Sequence, residues 1–63
     1  MKTKKEFEKW FRMAIMPYIR DMETKHGGGL DKPLRREEWL NTIDRMIKDG
    51  ELPERAYDWA SPW

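Results

Sequence analysis

The chain has 63 residues and no cysteine, and 13 basic against 12 acidic residues give it a formal net charge of +1. A chain this short forms one domain with a small core. The lack of cysteine excludes disulfides and thiolate chemistry, and the small net charge excludes a global attraction to nucleic acid or anionic membrane. No segment has the ~20 apolar residues of a transmembrane helix, so we expect a cytoplasmic protein with no membrane partner.

Eight aromatic residues, four of them tryptophans, can compensate for the small size of the core. Each aromatic side chain buries about 150–250 Å² when it is enclosed. We therefore expect aromatic packing to supply most of the stability of the domain. Each tryptophan falls within or just after a different stretch of helical pattern: Trp10, Trp39, Trp59 and Trp63.

A first helix is predicted over residues 4–26. Thr3 and Glu6 have the spacing of a capping box, in which the two side chains accept hydrogen bonds from each other's backbone N–H groups. At about 100° per residue, eight apolar side chains share one half of the helix circumference, which predicts one broad buried face. In order around the helix they are Trp10, Ala14, Phe7, Tyr18, Phe11, Met22, Ile15 and Ile19.

Pro17 interrupts this first helix. Proline has no N–H to bond to the carbonyl of Met13, and its ring crowds that carbonyl. We therefore expect the helix to be kinked at Pro17, with the distortion near residues 14–16. The alternative is that two shorter helices meet at Met16 and Pro17.

Three consecutive glycines predict a loop over residues 27–30. A second helix is predicted over residues 33–49, with Asp31 or Lys32 at its N-cap and a proline in its first turn. Its apolar side chains occupy an arc of about 120°, which is typical of an amphipathic helix. These side chains are Trp39, Leu40, Ile43, Met46 and Ile47.

A third, short helix is predicted over residues 53–60, after Asp49 and Gly50 end the second one. A helix this short is stable only when it docks against the rest of the protein. The side chains available for docking are Leu52, Ala56, Tyr57, Trp59 and Trp63. Together these patterns predict an all-α fold, a small three-helix domain whose first helix is kinked and whose third helix is short.

The C-terminal half of the chain, residues 34–63, carries a recognisable pattern. It reads Asp49-Gly50-Glu51-Leu52-Pro53-Glu54-Arg55-Ala56-Tyr57-Asp58-Trp59 and closes with Pro62-Trp63. This pattern resembles a group of short uncharacterised proteins encoded by tailed bacteriophages, which place an amphipathic helix before it. The chain departs from the group at Pro53, where those proteins commonly have a serine or threonine N-cap. The resemblance carries no assigned chemistry and implies a viral accessory protein in the cytoplasm of a bacterial host.

No cluster of residues indicates catalysis, a metal site or a cofactor. His26 has acidic residues nearby in sequence, but it lies at a helix end beside glycines, where an exposed histidine suits the helix dipole. The carboxylates are explained by helix dipoles and by ion pairs with i,i+4 spacing. The three glycines lack the Lys-Ser/Thr of a phosphate loop. We therefore predict that the protein is not an enzyme.

The candidate protein-binding residues are those that the helical periodicity does not assign to the core. The periodicity assigns five aromatic residues to it: Phe7, Phe11, Tyr18, Trp39 and Tyr57. Exposed methionine and tryptophan are common at adaptable binding surfaces, so the candidates are Met13, Met16, Trp59 and Trp63, with Arg35 and Arg36 as polar anchors. In the alternative, the two methionines pack against the kink and Trp63 covers the core as a lid.

We predict from these features a protein that binds a host protein and inhibits or redirects it. One alternative is a small nucleic-acid-binding module, in which phosphate contacts come from Lys4, Lys5, Arg35 and Arg36. Another is self-association, in which two copies bury their surplus apolar surface against each other.

Overall fold

A computed structural model, which describes residues 1–63, shows an all-α fold without strands. The fold class predicted from the sequence is therefore confirmed. Helix α1 spans Lys4–Ala14, α2 spans Met16–Lys25 and α3 spans Lys32–Lys48, and a single 3₁₀ helix follows at Glu54–Asp58. None of the helices is long and apolar enough to cross a membrane.

Helix α1 begins with one half of the predicted capping box. The Thr3 hydroxyl accepts a hydrogen bond from the backbone N–H of Glu6 at 3.2 Å. The Glu6 carboxylate in turn accepts from the Thr3 hydroxyl at 3.0 Å. The two side chains thus hold each other and satisfy one of the unpaired N–H groups of the first turn.

The first helical region is two helices that meet at Ile15. Ile15 keeps right-handed backbone angles (φ −104°, ψ −37°), and its N–H donates to the carbonyl of Phe11 at 2.9 Å. Pro17 lies in the first turn of α2, the position where its missing N–H costs least. The break thus precedes the proline by two residues, and the alternative of two shorter helices describes the backbone.

This break changes which side chains face the core. The buried side chains are Phe7 and Phe11 on α1, then Met16, Ile19 and Glu23 on α2. In an unbroken helix, a residue five positions after a buried one is turned by about 140°. The five-residue step from Phe11 to Met16 therefore shows that the buried side of the chain shifts around the helix axis across the break at Ile15.

Two expectations from the unbroken periodicity are wrong for this reason. Met16 was a candidate for the binding surface, yet its side chain is completely buried. Tyr18 was assigned to the core, yet it is 58% exposed. Both errors have one cause, because the core-facing side of α2 is offset from that of α1. Met16 therefore faces the core and Tyr18 faces solvent.

Helix α3 is capped by Asp31, whose carboxylate accepts a hydrogen bond from the N–H of Leu34 at 3.1 Å. Trp39, Ile43 and Met46 on its inner face are buried. Leu40 was expected on this apolar arc but is exposed. The helix therefore buries a narrower stripe than its sequence predicted.

The short third helix is a 3₁₀ helix rather than an α-helix. Its backbone N–H groups bond three residues back, from Ala56 to Pro53 and from Trp59 to Ala56. Ala56 is completely buried, as expected for a docking residue. Tyr57 was assigned to the core but is half exposed, and its hydroxyl donates to the carboxylate of Asp44 at 2.7 Å.

Aromatic rings around Trp39 form the centre of the core. The ring centroids of Phe7 and Phe11 lie 4.7 and 5.2 Å from that of Trp39, both in edge-to-face geometry. The indole N–H of Trp39 donates to the carbonyl of Trp59 at 3.0 Å. The buried core comprises nine hydrophobic residues: Phe7, Phe11, Met16, Ile19, Trp39, Ile43, Met46, Leu52 and Ala56.

Candidate functional site

Arg35, expected as an exposed polar anchor, is instead part of an ion pair with Glu23 that is largely shielded from solvent. Two guanidinium nitrogens of Arg35 donate to the two carboxylate oxygens of Glu23 at 2.8 and 2.9 Å. The backbone N–H of Asp31 donates to the same carboxylate at 2.7 Å. These bonds tie the end of α2 to the start of α3 across the glycine loop, so the role of Arg35 is structural.

The same hydrogen bonds control the ionisation of Glu23. The guanidinium of Arg35, followed by the N–H of Asp31, lowers the pKa of Glu23 from its ordinary value of 4.5 to about 2. The pair also raises the pKa of Arg35. Both groups therefore stay charged at neutral pH, and neither is suited to donate or accept a proton in catalysis.

Trp63 lies against the core with two arginines over its ring. Its centroid is 5.8 Å from that of Phe11, and the guanidinium carbons of Arg12 and Arg35 lie 5.1 and 5.4 Å from it. The indole is half buried. This arrangement matches the lid described as the alternative for Trp63, and a cation over an indole face is attractive.

Only part of the predicted protein-binding set is accessible. Met13 is 72% exposed and Arg36 is also exposed. Trp59 is half buried beside the core, where its ring centroid is 6.0 Å from that of Phe7. Because Met13 and Arg36 lie on different helices, and Met16 is buried, the six predicted residues do not define one exposed surface.

A coherent exposed apolar surface does exist where α1 meets α2. We call it the junction face, and it consists of Met13, Ala14, Pro17 and Tyr18, all of them exposed. Met13 and Ala14 end α1, and Pro17 and Tyr18 lie in the first turn of α2, so the four residues flank the break at Ile15. Met13 and Tyr18 are the two most exposed large hydrophobic side chains of the protein. The junction face is the exposed side of the region where α1 meets α2, and the other side of that region is buried.

Cationic side chains border the junction face. By helical spacing, Lys9 precedes Met13 by one turn and Arg20 follows Pro17 by one turn. Both are exposed, and neither forms a salt bridge. The carboxylate of Asp21, also nearby, is engaged by Lys25 at 3.0 Å. The apolar surface therefore has an unneutralised positive edge.

A second charged feature lies along α1 and shares Lys9 with the edge of the junction face. Five side chains line a shallow furrow, which we call the basic furrow: Lys4, Lys5, Glu8, Lys9 and Arg12. The single acidic group, Glu8, is held by Arg12 at 3.1 Å. The structure thus places the predicted phosphate-binding residues Lys4 and Lys5 beside two further cations, Lys9 and Arg12. Arg35, predicted for the same role, instead forms an ion pair with Glu23.

The loop between α2 and α3 contains a concavity but no assembled chemistry. Its lining includes His26, Asp31 and the three glycines, beside Glu23. His26 is exposed, and no group of three histidine, cysteine or carboxylate side chains is placed to hold a metal ion. The loop connects the two helices without forming a site.

Two residues of these surfaces were missed by sequence reasoning, namely Tyr18 and Arg20. For Tyr18 a usable signal was present, because Pro17 favours the first turn of a new helix. Starting the helical periodicity again at Met16 would have placed Tyr18 outside.

Comparisons with protein-family models, with curated proteins and with solved structures return no match to this chain.

Proposed function

We propose that this protein is a non-catalytic accessory protein of a tailed bacteriophage that binds a host protein in the bacterial cytoplasm and inhibits or redirects it. The phage and host assignment rests only on the resemblance of the C-terminal pattern, closed by Pro62 and Trp63, to short tailed-bacteriophage proteins. The observation that carries the binding role is the junction face. Met13 and Tyr18 remain exposed there although a core this small would gain stability by enclosing them.

The junction face has the composition of a protein-binding surface. Methionine adapts its shape to a partner, and tyrosine supplies a large rigid contact with a polar tip. The exposed apolar residues flank the break at Ile15, and cationic residues lie one helical turn before and after them, which matches a hydrophobic interface with a polar rim. Because that edge carries Lys9 and Arg20, the complementary partner is an apolar protein surface bordered by acidic residues.

The proposal can be tested by comparing two double variants of the tagged protein in pull-downs from nuclease-treated host lysate. Met13→Ala with Tyr18→Ala removes the large side chains of the junction face. Leu30→Ala with Leu40→Ala is the matched control, because those leucines are also about half exposed, at 56% and 55%, but lie elsewhere. Circular dichroism should show that both variants keep the helical fold.

The expected result is one host protein recovered with the wild type and with the leucine variant, and lost with the junction-face variant. Binding of that purified host protein should then weaken at least tenfold on the Met13 and Tyr18 substitutions, about 1.4 kcal/mol. Equal recovery with all three proteins would refute binding through the junction face. No captured host protein, together with melting of the purified chain that depends on its concentration, would replace the host partner by self-association.

A further inference from the structure

Charge is unevenly distributed along this nearly neutral chain. Residues 1–26 contain seven basic and four acidic side chains, whereas residues 27–63 contain six basic and eight acidic ones. The N-terminal part of the chain therefore carries a net positive charge, which lies on α1 and the residues before it because α2 has two basic and two acidic residues, and the rest of the chain carries a net negative one. A local field can attract an anionic ligand even when the whole molecule is close to neutral.

The positive charge of α1 is concentrated in the basic furrow and is little neutralised. Glu8 is paired with Arg12, and Glu6, on the same helix, accepts a hydrogen bond from the Thr3 hydroxyl. Lys4, Lys5 and Lys9 form no salt bridge. Three ammonium groups are thus available to an external anion.

Another cation lies beside the start of the furrow. The guanidinium of Arg55 donates a hydrogen bond to the backbone carbonyl of Lys2 at 2.6 Å. This contact holds the 3₁₀ helix against the residues that precede α1. Arg55 forms no salt bridge, so it adds to the positive potential at the N-terminal end of α1, where the helix dipole is also positive.

The linear order of these cations favours a chain of anionic groups over a single small anion. Lys5 and Lys9 are four residues apart, which corresponds to about 6 Å along the helix axis, and Lys5 and Arg12 are about 10 Å apart. The furrow has no hydrophobic side chain in its lining. A ligand that fits it presents successive negative charges along an extended backbone, as a nucleic-acid strand does.

An aromatic ring lies at the far end of the furrow. Arg12 belongs to the furrow and its guanidinium lies 5.1 Å from the ring centroid of Trp63. The indole is half buried and so keeps part of its surface accessible. Cations that follow a backbone, together with an aromatic group for a base, are the elements of single-strand recognition.

We propose that the basic furrow binds single-stranded nucleic acid, with phosphates held by Lys4, Lys5 and Lys9 and a base against Trp63. Binding does not depend on sequence, because the furrow offers charges and an aromatic ring rather than a hydrogen-bonding pattern for base edges. This inference shares only Lys9 with the proposed host-binding surface. It is tested separately, because Lys4 and Lys5 are not part of the junction face.

The test is fluorescence anisotropy of a labelled oligothymidylate titrated with the full chain at several salt concentrations. Lys4→Glu with Lys5→Glu is the informative variant, since acidic residues suit the first turn of a helix and should not unfold it. Lys32→Glu with Arg45→Glu is the control, because it changes the net charge by the same amount at exposed positions outside the furrow. Both variants are checked for helical content.

For three phosphate contacts the logarithm of the affinity should fall with the logarithm of the salt concentration with a slope of about −2. The Lys4 and Lys5 variant should bind at least tenfold more weakly at low salt. Because one phosphate contact remains, the logarithm of its affinity should fall with the logarithm of the salt concentration with a slope of about −0.7. The control should stay within about twofold of the wild type. Substitution of Trp63 by phenylalanine should remove most of the quenching of tryptophan emission by the oligonucleotide.

Three results would overturn the proposal. Equal weakening by the furrow variant and by the control would mean that net charge alone governs binding. Tighter binding to a duplex than to the single strand would contradict the single-strand assignment. Binding to vesicles of anionic lipid without binding to oligonucleotide would identify the furrow as a membrane contact.

Discussion

The carboxylate of Glu23 and the guanidinium of Arg35 form a bidentate ion pair that links the end of α2 to the start of α3. The side chains are only 6% and 12% exposed, so the pair is shielded from solvent. Removing one partner would leave the other charge unpaired and shielded from water, which lowers the free energy of unfolding. The pair, together with the bond from the Asp31 N–H to the same carboxylate, therefore ties the two ends of the glycine loop together.

The stability of the protein should fall in acid because of Glu23. Its pKa is held at about 2 in the folded protein, below the ordinary 4.5, so the charged form favours folding. That contribution is complete above about pH 4.5 and is lost as the pH falls toward 2. Urea unfolding from about pH 6 to about pH 2 should show a steeper loss of stability for the wild type than for Glu23→Gln. Parallel curves would show that the ion pair does not persist in solution.

Met16 and Met13 provide a direct test of how α1 and α2 meet. Met16 is completely buried and Met13 is 72% exposed, although they are three residues apart. Met16→Ala should lower the free energy of unfolding by about 2–5 kcal/mol, because it leaves a cavity in the core. Met13→Ala should change it by no more than about 0.5 kcal/mol. Similar losses for the two variants, measured by urea denaturation, would indicate a different geometry of the junction.

The contrast between these methionines shows what the sequence could predict about the fold. The presence of each helix followed from caps and apolar periodicity, and the burial of Phe7, Phe11 and Trp39 was predicted and is confirmed. The break at Ile15 lies within the predicted distortion near residues 14–16, but whether the region is one kinked helix or two helices was left open, because Pro17 tolerates both a kinked interior and a first-turn location. Every assignment in α2 depended on that choice, which is why Tyr18 was misplaced.

Gly50 ends α3 in a left-handed conformation with φ of +79°. Its own N–H donates to the carbonyl of Ile47, and the next two N–H groups both donate to that of Met46. A Cβ at Gly50 would meet no atom within 4 Å, so substitution by alanine costs only conformational energy, about 1 kcal/mol. Thermal unfolding should show a drop in Tm of about 4–8 °C for Gly50→Ala.

Asparagine at this position should restore part of the loss, since it adopts left-handed angles more easily than alanine. Replacement of the neighbouring exposed Glu51 by alanine should leave Tm nearly unchanged and serves as the control. If Gly50→Ala melted with the wild type, the turn after α3 would have a different backbone conformation in solution.

The candidate surfaces were less predictable than the fold, for a physical reason. Exposure of Met13 followed from its place off the apolar arc, and the structure agrees. Arg35 was assigned to the surface because its partner Glu23 is twelve residues earlier, across a glycine loop whose path no local pattern specifies. Long-range pairs of this kind become visible only when the helices are placed relative to each other.

Trp63 should contribute to stability as a cover on the aromatic core. Its ring contacts that of Phe11 and lies 6.3 Å from that of Trp39 in edge-to-face geometry, with two arginines over it. Trp63→Ala should lower the free energy of unfolding by about 1–3 kcal/mol, less than the loss expected for a fully buried aromatic residue. Trp63→Phe should keep part of this contribution, because a smaller ring still packs on Phe11.

Urea denaturation of these two variants, followed by circular dichroism, measures the effect without relying on tryptophan emission. A loss that increases from phenylalanine to alanine would assign Trp63 to the core rather than to a partner surface. Unchanged stability in both variants would mean that the ring does not pack on the core, which would leave all of it available to the host protein. In that case Trp63→Ala should weaken capture of the host protein by as much as the substitutions of Met13 and Tyr18, which the packing of Trp63 against Phe11 argues against.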